Sequence, residues 1–193
     1  MSKKLLIIKT FIDLLIERGS INEISIKEAA DRAGIGKGTV YEYFQSKDDI
    51  VKHIIMHIFD MIGEVVLKYE GFDGLDFDRS IVHYVDDAVN KIKDLGPILK
   101  LPENMMPGKF KFSEIKETVF MKVNELQEIN LRLFKQNVYE KGLREGKCET
   151  LTDYELLLVI KMITNETREL IGMQTTINKE AIVKMAHKML KAD

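Results

Sequence analysis

The sequence predicts an all-α fold, a three-helix head on a larger helical body. Three observations carry that prediction. Nearly every segment with a clear hydrophobic period repeats at helical spacing. Helix-starting and helix-stopping residues sit at the ends of those segments. Hydrophobic residues make up 45% of the chain, enough for a sizeable core. No strand, internal repeat or low-complexity segment is recognisable.

The elements follow in order. Residues 3–18 place Leu6, Ile7, Phe11, Leu14 and Leu15 on one stripe, and Gly19 stops the run. Ser25 opens a second helix with Glu28 three positions on, a spacing that predicts a reciprocal capping box, and the helix ends at Gly34. A third, short helix covers 37–44. Ser46 starts a long fourth helix reaching about Tyr69, with Asp48 and Asp49 at the positive end of its dipole. Residues 70–78 read as a loop, and Asp78 as the cap of a fifth helix to about Lys93. All three prolines fall within 97–107, the least regular stretch, with one short helix expected at 97–101. A long helix from about Ser113 to Lys141 is broken by Gly142 and Gly146. Thr152 with Glu155 forms a second capping box opening a helix to about Gly172, and Asn178 caps the last helix, to about Lys191.

Charge excludes an argument from bulk electrostatics. The net charge is -2, and the first fifty residues balance eight Lys or Arg against eight Asp or Glu. Any nucleic-acid contact must therefore come from local placement. Cys148 is the only cysteine, so an intrachain disulfide and a cysteine zinc cluster are both excluded. The opening MSKKLLIIKTFIDLLIERG has Lys9, Asp13 and Glu17 at helical spacing and no small-residue cleavage site, which reads as a helix rather than a signal peptide. No apolar run approaches the ~20 residues of a membrane span. A soluble, cytoplasmic protein with no membrane partner is expected.

The informative segment is SIKEAADRAGIGKGTVYEYFQSKDDI, residues 25–50. Two short helices cross steeply only where side chains are small, and Ala29, Ala30 and Ala33 supply that. Gly34 follows where the chain must turn sharply, a left-handed position easiest for glycine. Ile35, Val40 and Phe44 then point to one core. The remaining face of the 37–44 helix carries Lys37, Gly38, Thr39, Glu42 and Tyr43, small, polar and aromatic groups suited to a major groove.

Here the sequence closely resembles the tetracycline-repressor (TetR) family of regulators. The resemblance runs through Ala29-Ala30, Ala33-Gly34-Ile35, Lys37-Gly38-Thr39-Val40-Tyr41, Tyr43-Phe44 and Ser46-Lys47-Asp48. It departs mildly at Ala29, where a larger aliphatic is common, and at Tyr43, where histidine is common. The resemblance implies a helix-turn-helix DNA-binding head at residues 1–46 and a ligand-binding and dimerisation body at 47–193. It implies that Gly36, Lys37, Gly38, Thr39, Tyr41 and Tyr43 approach DNA and that Lys47 holds a phosphate. Lys27 matches a position that also reaches the groove, and Ser25 caps its helix and touches the backbone. A repressor released from a palindromic operator by a small-molecule effector is the implied function.

Two-fold pairing is expected through the last two helices, about 153–191, because both are apolar around much of their circumference. Candidate lining residues for the effector pocket are Met61, Phe72, Tyr84, Met105, Phe120, Phe134 and Met162, each of which reads more readily as ordinary core. His53 and His57 share a helix face at the spacing of metal ligands, but the residues between them are Ile54, Ile55 and Met56, and two surface histidines explain the pair better. No metal or cofactor is expected. Neither is catalysis: the sequence holds no Glu-x-x-His pair, phosphate-cradling glycine loop or paired thiols.

Overall fold

Most helix starts among the described residues lie at side chains that satisfy a backbone N–H within one turn. The structure is a computed structural model and describes residues 1–99, 116–172 and 178–191. Every regular element among the described residues is helical. The chain divides into two compact units, Met1–Ile62 with Gly96–Lys122, and Gly63–Leu95 with Val123–Asp193.

In the first unit α1 (Lys3–Arg18) starts at Ser2, whose Oγ accepts from Leu5 N at 3.2 Å, and stops at Gly19 in the left-handed conformation (φ 76°). A 3-10 turn (Ile21–Glu23), not expected from the sequence, buries Ile21. Ser25 Oγ accepts from Glu28 N at 3.0 Å and caps α2 (Ile26–Arg32). The return half of the expected box is absent, because the Glu28 carboxylate instead accepts from Arg18 at 2.8 Å. A second pair, Arg32 with Glu17, also ties α2 to α1, and those hydrogen bonds hold the Glu17 carboxyl below its usual range.

The turn after α2 explains Gly34. Its φ of 67° lets Ile35 N reach back to the Ala30 carbonyl at 3.0 Å, a Schellman closure whose apolar partner Ile35 packs on the head core. Ala29 and Ala30 are buried where α2 meets its neighbours, and Val40 of α3 (Lys37–Tyr43) and Phe44 complete that core. Ser46 Oγ accepts from Asp49 N at 3.1 Å at the start of α4 (Lys47–Val66). Ile50, Val51, Ile54, Ile55 and Ile58 of α4 belong to the same apolar cluster as α1.

In the second unit α5 (Phe77–Leu99) is capped by Asp76, whose carboxylate accepts from Arg79 N at 2.9 Å, and not by Asp78. Phe77 is completely buried at the first helical position, which places the preceding residue at the cap. The helix runs past Lys93 and through Pro97.

The next helix is described from Lys116. It comprises α6 (Lys116–Phe134), a π turn (Lys135–Tyr139) and α7 (Glu140–Arg144). It passes through Gly142 and ends at Gly146 (φ 66°), where Lys147 N closes on the Gly142 carbonyl at 2.8 Å. The capping box of α8 (Asp153–Gly172) is reciprocal, Thr152 N to Glu155 Oε2 at 2.7 Å and Glu155 N to Thr152 Oγ1 at 3.3 Å. Asn178 caps α9 (Lys179–Leu190) through Glu180 N. The core of this unit gathers Phe77, Ile81 and Val85 of α5 with Phe134, Val138, Leu156, Ile160, Ile163, Ile182 and Leu190.

His187 of α9 lies edge-on to the Phe77 ring at 5.3 Å, with Asp78 at 3.6 Å and its own Nδ1 buried without a partner. Burial pushes its pKa below the ordinary 6.5; Asp78 opposes that, while Lys191 and Lys147 add to it. The folded chain thus holds this proton less tightly than the unfolded chain. The effect is absent well above pH 6.5 and destabilises increasingly as pH falls below it. Melting curves of the parent and of His187→Gln at about pH 7.5 and 5.5 should show the acid-induced loss reduced in the variant. Equal losses in both would exclude the effect.

Candidate nucleic-acid interface

The DNA-facing candidates divide by exposure. Ser25, Lys27, Gly36, Lys37 and Gly38 are exposed, as are Tyr41 at 49% and Tyr43 at 39%, while Thr39 and Lys47 are half-buried. One side of α3 is thus core, through Val40, and the other is open. The Tyr41 ring is half in solvent, with Lys37 Nζ 5.9 Å from its centroid. Ser25 spends its hydroxyl on the cap of α2. Burial pushes the Lys47 ammonium pKa down, with Asp48 partly opposing. Glu42 and Asp48 are exposed on the same stretch, so the local charge is mixed.

The glycines of the turn have different reasons. Gly34 needs its positive φ, but Gly36 sits at φ -69° and Gly38 in α3. A Cβ built on Gly38 meets nothing within 4 Å, and one on Gly36 meets only Thr39 Oγ1 at 4.0 Å. Neither backbone nor packing within the head requires these two glycines. Bare backbone at an exposed helix start suits close approach by an outside surface.

The family model described as bacterial regulatory proteins, tetR family, matches residues 7–54, which span α1, α2, α3 and the start of α4. This head segment, about a quarter of the chain, is similar to the tetR family of bacterial regulators.

A curated relative, an uncharacterised HTH-type transcriptional regulator of Haemophilus influenzae, is 29% identical over 68 residues, 35% of this chain. The match spans 33% of that relative's length. Among solved structures, a TetR-family transcriptional regulator from Haemophilus influenzae Rd is 17% identical. The likeness covers 98% of this chain and 96% of that one, with a TM-score of 0.61. The transcriptional regulator FadR from Bacillus subtilis, solved in complex with stearoyl-CoA, is 14% identical over 98% of each chain, also at 0.61. These likenesses extend the tetR-type fold from the head to the body.

Within the helical body, the expected pocket residues do not form one group. Phe72, Tyr84 and Phe134 are buried together in the second unit, with Tyr84 and Phe134 rings edge to face at 4.9 Å, and Met162 packs against them. Met61 and Phe120 belong to the other unit, and Phe120 is 64% exposed. Met105 lies outside the described residues. Among the described residues no group of three His, Cys, Asp or Glu is placed to hold a metal. His53 is engaged locally, with Lys4 Nζ 2.8 Å from its Nε2 and the Asp49 carbonyl 2.9 Å from its Nδ1. No helix among the described residues is long and apolar enough to cross a membrane.

Sequence reasoning passed over a polar set beside Tyr84. Tyr69 donates to Asn130 Oδ1 at 2.6 Å, and burial raises the pKa of both tyrosines, so both hydroxyls stay protonated. Lys91, on α5, pairs with Asp87 at 2.6 Å and lies 5.0 Å from the Tyr69 ring centroid. The available signal was Asp87 and Lys91 at a spacing of four on an amphipathic helix, a pair that ordinarily reads as a solvated surface pair.

Proposed function

We propose that the protein is a dimeric transcriptional repressor released from a palindromic operator by a small-molecule effector. Residues 1–46 act as the DNA-contacting module, and 47–193 pair two copies and receive the effector. One observation carries the reading: in a head that matches the tetR family, the outward side of α3 is exposed while its inward side is core. Lys37 and Thr39 are flexible or short enough to read base edges, and Tyr41, Tyr43, Ser25 and Lys27 flank them. Lys47 takes a phosphate, which restores the environment an ammonium loses on burial. Gly36 and Gly38 let the backbone approach the duplex.

Pairing through α8 and α9 is supported by apolar side chains on their outer sides. Tyr154 and Leu158 are 67% and 39% exposed, and Met185 and Met189 are 43% and 38% exposed, each pair one turn apart. The opposite sides, Leu156, Ile160, Ile182 and Ala186, are fully used in the core. The effector acts by population shift, and a hundredfold release of DNA requires ~2.7 kcal/mol of differential affinity for two arrangements.

Selection of bound sequences from a random duplex pool tests the reading. A palindrome with half-sites about 34 Å apart, or a multiple, is expected. On that duplex the Lys47→Ala, Tyr43→Ala double variant should bind at least about tenfold more weakly and show a salt slope smaller by about 1. A double variant that grips DNA as firmly as its parent, with the same salt dependence, would falsify the assignment of this face.

A further inference from the structure

The second unit holds a cavity of about 70 Å³ whose walls include Val66, Tyr69, Tyr84, Asp87, Lys91 and Asn130. The chain already keeps an ammonium group at its edge. Lys91 Nζ lies 2.6 Å from Asp87 Oδ2, 2.6 Å from the Lys68 carbonyl and 3.2 Å from the Val66 carbonyl, over the Tyr69 ring. Three oxygen acceptors and one aromatic face are what an alkylammonium ion requires. We propose that this cavity is an ammonium subsite, taking the cationic end group of an amine effector that replaces Lys91 on Asp87. The proposal rests on the reading of the protein as an effector-released regulator and names the effector's chemistry.

Charge argues for a cation over an anion. An anion would face the Asp87 carboxylate and the last carbonyls of α4, the negative end of a twenty-residue helix. It would also find all three Lys91 donors taken. A cation finds Asp87 and the tyrosine rings in place, and Lys91 has a flexible stem that carries its charge to water. Size limits what enters. A cavity that holds benzene measures about 150 Å³, so this one takes an end group and not a whole effector.

Coupling follows from the same contacts. Lys91 is the donor to the carbonyls of Val66, the final residue of α4, and of Lys68 just beyond it. An amine that takes Asp87 removes that donor from the end of the helix whose first turn carries Lys47. Lys91 is thus a positioning residue, binding neither DNA nor effector.

Chemical rescue tests the proposal on the full chain without DNA. Thermal unfolding is followed for the parent, for Lys91→Ala and for Lys91→Ala combined with Asp87→Asn. The probes are n-propylammonium chloride, sodium propionate and sodium chloride at equal ionic strength. Lys91→Ala should melt below the parent, and propylammonium should raise it saturably by roughly 2–4 °C beyond sodium chloride. Propionate should add nothing, and the double variant should not respond. The parent, with its tethered rival in place, should shift less. Should Lys91→Ala fail to fold, Lys91→Met keeps most of the stem, and methylammonium replaces propylammonium. A response no larger than that to sodium chloride, an equal response to propionate, or an undiminished response in the double variant would each overturn the subsite. Because DNA is absent, failure of operator binding leaves this result standing, and failure here leaves the DNA reading standing.

Discussion

Gly142→Ala is expected to destabilise the folded chain by about 1–3 kcal/mol, the usual range for overpacking a filled core. On helix propensity alone the substitution should stabilise by up to about 1 kcal/mol, since Gly142 lies within α7. Packing reverses the sign. A Cβ at this position would collide with Cys148 Sγ and come within 2.8 Å of two Phe77 ring carbons. Phe77 is completely buried, with the His187 ring edge-on at 5.3 Å. Urea unfolding should show a lower midpoint with an unchanged slope. Adding Cys148→Ala should recover part of the loss and leave the Phe77 part. An unaltered or raised midpoint in Gly142→Ala would show that the loop carrying Cys148 yields freely.

Gly38→Ala should do the opposite to stability and the larger damage to function. No atom stands within 4 Å of the added Cβ, and the residue is in the first turn of α3. Folding should gain a few tenths to about 1 kcal/mol. On the proposed DNA reading, operator affinity should fall at least tenfold, about 1.4 kcal/mol, because the methyl group would stand where the duplex backbone or a base edge approaches. The two readouts together are diagnostic. A variant that is more stable and still binds normally would mean that no surface approaches α3 closely at that point. A variant that loses both would mean that the glycine serves the fold after all.

The pairing of these two glycines shows what local sequence carries. Both stand in periodic helical segments, and spacing alone reads Gly142 as a break. Its constraint comes from Cys148, in the turn beyond the helix, and from Phe77, 65 positions away in the sequence, which no window of one or two turns includes. The same limit separates the legible helix ends from the others. Ser25, Ser46, Thr152 and Asn178 were readable because each cap reaches a backbone N–H two or three residues on. Glu28 was half right because Arg18, ten residues earlier, competes for its carboxylate. Asp78 was misplaced by two positions because burial of Phe77, a tertiary event, set the start of α5.

The candidate site divides in the same way. The exposed side of α3, the proposed DNA face, is legible because it is the complement of a local core pattern, Ile35, Val40 and Phe44. The polar cavity in the body is not, because it joins Tyr69, Tyr84, Asp87, Lys91 and Asn130 from three separate segments. Each of those residues alone reads as core or surface. Only Tyr84 was anticipated, and as a greasy wall rather than as part of a hydrogen-bonded set.

Cys148 has a practical use. Burial pushes its thiol up to about 11, so at neutral pH it holds very little of the nucleophilic thiolate, and it is recessed beside Gly142. Maleimide reagents should therefore modify it slowly in the native protein. A cysteine introduced at an open position such as Lys27 would be labelled first, with no need to remove the natural one. In the proposed two-fold assembly, spin or fluorescent probes attached there would give one intermolecular distance, a ruler for the separation of the two α2 helices with and without an added amine.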